Sequence, residues 1–175
     1  MASVLQLFAD MLRLRTRPQD LPASQTVLLG SAIGLAAASM LAVRRLYPPD
    51  LAAARIGIDL ALQLAFVVAV LRMTGHPERF RQTFTALCGT GALLVLLSWP
   101  LLDILVERSP GESLYTLAVL ALLAVYAWSV VVVGHILRHA LDTGLGRGVA
   151  VALAYIVVSA LVGDTLVPVP DMESP

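Results

Sequence analysis

Five long apolar runs, each separated from the next by a short charged or proline-bearing break, organise this chain. The clearest is Leu114 to Leu137. Between Ser113 and Gly134 there is no charged side chain and no proline; Leu, Val and Ala dominate, with Trp128 near the middle. At a rise of about 1.5 Å per residue, a helix over this run crosses a hydrocarbon layer of about 30 Å. Lipid offers the backbone no hydrogen-bonding partner, so the other spanning segments must be helical too. The corresponding spans are expected at 25–43, 51–71, 83–102 and 148–167. The predicted fold class is an all-α polytopic bundle of five transmembrane helices, forming a single membrane domain.

Ahead of the spans, residues 2–17 place Val4, Leu5, Phe8, Met11 and Leu12 on one helical face, with Gln6, Asp10, Arg13 and Arg17 largely elsewhere. That spacing predicts an amphipathic N-terminal helix lying in the membrane interface. A secretory signal peptide fits less well, because Asp10 interrupts the apolar stretch and the arginines follow it instead of preceding it. Pro18 and Pro22 end the helix. The last residues, 168–175, are short and acidic and are expected to be disordered.

Composition agrees with a bilayer setting. The chain is 58% hydrophobic and 14% charged, and its mean hydropathy is +0.84, which leaves too few charges to cover a water-exposed surface. Its single cysteine, Cys88, rules out a disulfide within the chain and any multi-cysteine metal site. Zero formal net charge implies no bulk attraction to nucleic acid. All twelve basic residues are arginines. With the N-terminus inside, Arg13, Arg15, Arg17, Arg72, Arg79, Arg81, Arg138 and Arg147 are cytoplasmic, whereas Arg44, Arg45, Arg55 and Arg108 are outside. The positive-inside rule therefore predicts a cytoplasmic N-terminus and an external C-terminus, in a bacterial inner membrane.

Polar residues within the spans carry the candidate chemistry. Arg55, Asp59 and Gln63 recur every four residues and so share one face of the second span. A charge near the bilayer centre costs on the order of 3 kcal/mol, so Asp59 should face protein or water and have a partner. In the predicted orientation Asp59, Asp103 and Asp164 all fall in the outer half of the membrane or at its edge, and Asp59 or Asp103 is expected within salt-bridge reach of Arg55. This face reads either as an ion or substrate path or as a neutralised pair that orients the helix.

In the first span Gly30 and Gly34 form a GxxxG pair that Ala38 extends, reading as a face for close helix packing within the bundle or for self-association. Near the fourth span's end, His135, His139 and Asp142 share a face, but no compact set of further ligands completes a metal site. Gly144, Gly146 and Gly148 lack the preceding strand of a phosphate loop, so no cofactor is expected. Cys88 has no neighbouring general base in sequence, which argues against an enzyme.

The segment ERFRQTFTAL leading into the third span, Pro100 later in it, and AWSVVVVGHILRHALDTGLGRGVAVAL over Ala127 to Leu153 together resemble the Yip family of five-pass membrane proteins, named for interaction with Rab-type GTPases and also found in bacteria. The longer acidic-aromatic N-terminal region and the Gly-Tyr pair of eukaryotic members are absent. The resemblance implies a non-enzymatic membrane organiser, adapter or accessory subunit. Its partners are the bilayer and a protein or second copy, met at an inner surface bearing Arg79, Arg81, His135, Arg138, His139 and Arg147. The alternative is a small oligomeric ion or solute transporter or channel using the Arg55, Asp59, Gln63 face.

Overall fold

The computed structural model describes residues 3–44 and 47–167. Arg45 and the expected disordered tail at 168–175 lie outside the described residues. Among the described residues there are six α-helices and no strands: α1 Val4–Leu12, α2 Gln25–Val43, α3 Pro49–Met73, α4 Phe80–Glu107, α5 Ser113–Ala140 and α6 Leu145–Leu166. The last five are each long and apolar enough to cross a membrane. Along α5, Leu117, Leu120 and Leu123 remain 62%, 58% and 59% exposed. Such apolar surface suits lipid and not water.

Several helix ends depart from the expected limits. At 28 residues, α4 overruns 83–102 at both ends. Pro100 removes one backbone donor without stopping it, as transmembrane helices tolerate. The N-cap of α5 is Glu112, and Ser113 is the first helical residue; the Glu112 carboxylate accepts from the Ser109 amide at 3.0 Å.

The helices pack around α4, with α2 on one side, α5 on the other, and α6 against α5. Leucine gains little by leaving lipid for a protein interior, so close contact depends on small residues. On α2 the contact ridge is Ser31, Leu35, Ala38 and Ala42: Ser31, Ala38 and Ala42 are buried, and Leu35 lies 3.4 Å from where a Cβ on Gly91 would stand. Gly30 and Gly34 occupy the neighbouring ridge, and a Cβ on either would meet nothing within 4 Å. The close approach expected of that GxxxG pair inside the bundle is therefore made one residue around the helix, with Ala38 taking part and the two glycines left uncovered. Between α5 and α6 the backbones touch: a Cβ on Gly148 would strike the Gly134 carbonyl oxygen.

The amphipathic N-terminal helix turns its apolar face onto α4 and α5, burying Phe8 and Met11. The Phe8 ring occupies the space a side chain on Gly89 would need. Gly89 lies nine residues along α4 from Phe80, about 14 Å, so α1 packs against α4 part-way along that span.

Backbone groups covered there need partners. Ser3 and Gln6 form a reciprocal capping box at its start. At its end the Trp128 indole donates to the Leu12 carbonyl at 3.0 Å, and the Thr16 hydroxyl donates to the Leu7 carbonyl at 3.2 Å. Further along, Gln82 donates to the Gln19 and Leu21 carbonyls at 3.0 and 2.8 Å, and Gln19 donates to the His139 carbonyl at 2.7 Å. Residues 3–21 thus form a strap held by side chains from the spans.

Replacing Gly89 with Leu should expel Phe8. Overpacking of this kind costs about 1–3 kcal/mol, so trypsin cleavage after Arg13 and Arg15 in detergent should accelerate about tenfold or more. An unchanged cleavage rate would show that Phe8 does not hold the strap.

Candidate functional site

α3 begins at Pro49 with Asp50 in its first turn, a favourable proline and acid at a helix N-terminus. One turn further in, Arg55 reaches across to the end of α6. Its Nη1 donates to Asp164 Oδ1 at 3.0 Å and to the Val167 carbonyl at 3.3 Å, while its Nε donates to Asp59 Oδ2 at 3.4 Å. The expected pairing of Arg55 with Asp59 is present, and Asp164 supplies a second, closer carboxylate. Asp103 lies half-buried in the last turns of α4, at the same end of the bundle.

Gly163 makes this crossing possible. A Cβ there would stand 2.6 Å from Arg55 Cζ and Nη2 and 2.9 Å from Nε, so the guanidinium lies against bare backbone. The Arg55 side chain is only 18% exposed, against 44% for Asp59 and 67% for Asp164.

Below this cluster, a cavity of ≈ 340 Å³ runs between α3 and the other spans. Arg55, Asp59 and Gln63 line it from one side, and Leu35, Leu87 and Leu94 make much of the opposite wall. Three tyrosine or phenylalanine rings also face it: Phe66, Tyr126 and Tyr155. Phe66 and Tyr155 are in contact, with centroids 4.7 Å apart. Thr90 and Ser98 also line it, and their hydroxyls donate to carbonyls of their own helix, Ala86 at 2.7 Å and Leu94 at 2.9 Å. Their oxygens keep lone pairs able to accept from a guest. The arrangement is a mainly apolar cavity with a charged cluster at one end of its lining.

Sequence reading did not single out Gly163, Tyr126 or Tyr155 for this site. The one available signal was a glycine placed just before an intramembrane acid, inside a helix where glycine costs about 1 kcal/mol.

The opposite end of the bundle differs from the expected open arginine surface. His135 is 2% exposed, with Nε2 at 2.9 Å from the Thr16 carbonyl; the strap covers it, so it belongs to no exposed interface. Arg79 turns inward, donating to the His139 and Ala140 carbonyls at 3.2 and 3.1 Å and to Asp142 Oδ2 at 2.7 Å. The Arg79 guanidinium holds the Asp142 carboxyl below its ordinary range. Arg138 Nε donates to His139 Nε2 at 3.2 Å, whereas Arg81 and Arg147 remain exposed. His135, His139 and Asp142 are drawn to different partners, and among the described residues no three metal-ligating groups gather.

Fold and site together define an all-α, multi-pass membrane protein with a charged cluster over an internal cavity. No family model matches the chain, and no curated protein or solved structure matches it either.

The notch at Gly163 has a measurable consequence. Gly163→Ala should destabilise the detergent-solubilised protein by about 1–3 kcal/mol through the displaced guanidinium, seen as a fall in thermal midpoint. In an Arg55→Ala background the same change should have little further effect. Equal losses in both backgrounds would mean that Arg55 does not lie over α6.

Proposed function

We propose that this chain is a small membrane transporter or channel that admits a solute to the cavity between α3 and the other spans. The observation that supports this reading is the cluster of Arg55, Asp59 and Asp164, of which Arg55 and Asp59 line a cavity inside an otherwise apolar bundle. A pair serving only to orient a helix needs no cavity beneath it. α3 is also the span least engaged with its neighbours. It joins α6 through the Arg55 cluster and the Phe66–Tyr155 contact, which suits an element that moves. We read the protein as non-enzymatic: Cys88 is fully buried, and Arg55 is engaged by two carboxylates.

The proposed setting is a bacterial inner membrane with the N-terminus cytoplasmic, which puts the Arg55 cluster outside. Labelling of introduced cysteines tests both the cavity and its direction. In a Cys88→Ser background, Ser98→Cys should react on whole cells with a membrane-impermeant, positively charged methanethiosulfonate, and Leu93→Cys, on the α4 face beside Phe8 and the Gly30–Gly34 ridge and outside the cavity lining, should not. Reaction only in inside-out vesicles would reverse the orientation and keep the cavity. No reaction from either side would remove the transport reading.

A second reading, the adapter or accessory subunit implied by the Yip resemblance, is supported by a different observation. The Gly30–Gly34 ridge is uncovered by the chain's own helices, as a face for another transmembrane helix would be. Under this reading, affinity purification from native membranes returns one fixed partner or a second copy, and Gly34→Leu abolishes its recovery. Recovery of the chain alone as a monomer would count against it.

A further inference from the structure

We infer that the ligand of this cavity is a membrane-soluble organic cation, a small apolar body carrying one positive charge. The inference rests on the cavity being a solute site, and it fixes the chemical class of that solute.

Charge is the first argument. The single guanidinium of Arg55 faces two carboxylates, Asp59 and Asp164, so the cluster holds one negative charge in excess. Asp50, Glu107 and Glu112 lie at the same end. Among the described residues there, six acids stand against three arginines, whereas eight arginines stand against four acids at the opposite end. A cation is attracted to this cluster, and an anion meets two carboxylates around the one base.

The second argument is how the acids are held. Asp164 accepts from Arg55 at 3.0 Å and is turned largely to the outside. Asp59 accepts at 3.4 Å, the long end of hydrogen-bonding distance, and is the carboxylate that lines the cavity. Arg55 keeps Asp164 and the Val167 carbonyl as partners when Asp59 lets go. A cationic guest can therefore replace Arg55 at Asp59 without leaving a buried guanidinium bare.

The third argument is the wall. A small inorganic cation demands a shell of oxygens, and the lining is mainly hydrocarbon. Phe66, Tyr126 and Tyr155 contribute aromatic rings to that lining instead, and the quadrupole of such a ring attracts an organic cation. A volume of ≈ 340 Å³ falls at the lower end of small-molecule sites.

Equilibrium binding of labelled tetraphenylphosphonium to the full chain in lipid nanodiscs tests this, with tetraphenylborate as the size-matched anion and empty nanodiscs subtracted. Tetraphenylphosphonium should bind saturably. Asp59→Asn should weaken it by about tenfold or more, a loss of about 1.4 kcal/mol. Asp59→Glu should largely preserve it, and Asp142→Asn, at the opposite end, should leave it unchanged. Thermal melting of each variant confirms that it is folded. Ser129 of α5 also lines the cavity, and saturable tetraphenylborate binding that Ser129→Trp abolishes would overturn the cation class while leaving the cavity as a binding site. Cation binding indifferent to Asp59→Asn would overturn the inference as well. If Ser98→Cys is labelled but tetraphenylphosphonium does not bind, the cation inference alone fails; if neither occurs, the solute reading fails with it.

Discussion

Hydrocarbon cannot satisfy a backbone amide or carbonyl, and this constraint governs the structure more than any apolar contact does. A lone backbone polar group in that setting costs several kcal/mol. Five regular helices solve the problem for most of the chain. The N-terminal strap, packed against α4 and α5 and partly irregular, solves it with side chains. Trp128 serves the end of α1, and Gln82 and Gln19 serve the extended stretch beyond it. The same logic explains Arg79. Its guanidinium accepts no bond and offers five donors, and it meets the carbonyls that α5 leaves unbonded at its last turn.

Where lipid removes the hydrophobic incentive to pack, glycine and alanine decide which helices touch. Gly89 receives the Phe8 ring, Gly134 and Gly148 let two backbones meet, and Gly163 receives the Arg55 guanidinium. Each is a cavity of one missing methyl group filled by something larger from a neighbouring element. The Gly30–Gly34 pair follows another rule, since nothing from this chain fills it.

The fold was largely legible in the sequence because uninterrupted apolar length is a strong signal and each break carries charge or proline. The second span's charged face was legible for a related reason: Arg55, Asp59 and Gln63 are local to one helix, and their four-residue spacing is visible without knowing any neighbour. What could not be read were contacts between helices. Asp164 appeared as an isolated acid, and only the crossing of α3 and α6 shows that it shares Arg55 with Asp59. His135 was read as part of an inner surface because nothing in its own helix reveals that Thr16, far off in sequence, covers it. The amphipathic face of α1 was equally clear, but amphipathicity does not distinguish a lipid headgroup from the groove of a protein as the opposing surface. The Phe8–Gly89 fit, which does distinguish them, is a relation between two segments.

The uneven holding of α3 links these observations to function. Its neighbours α2 and α4 meet along a continuous small-residue ridge, and α5 and α6 meet backbone to backbone. α3 has no comparable seam. It is tied at one end by a guanidinium with three acceptors, of which Asp59 is the most distant. Burying charge in a bilayer is costly, so a cluster that served stability alone would gain from being tightly closed or replaced by apolar residues. Under the proposed transport reading, the more distant acid, Asp59, is the one free to exchange partners. Asp59 belongs to α3 itself, so it can leave Arg55 while Asp164 and the Val167 carbonyl still hold the guanidinium, and α3 stays tied to the end of α6 whatever Asp59 contacts.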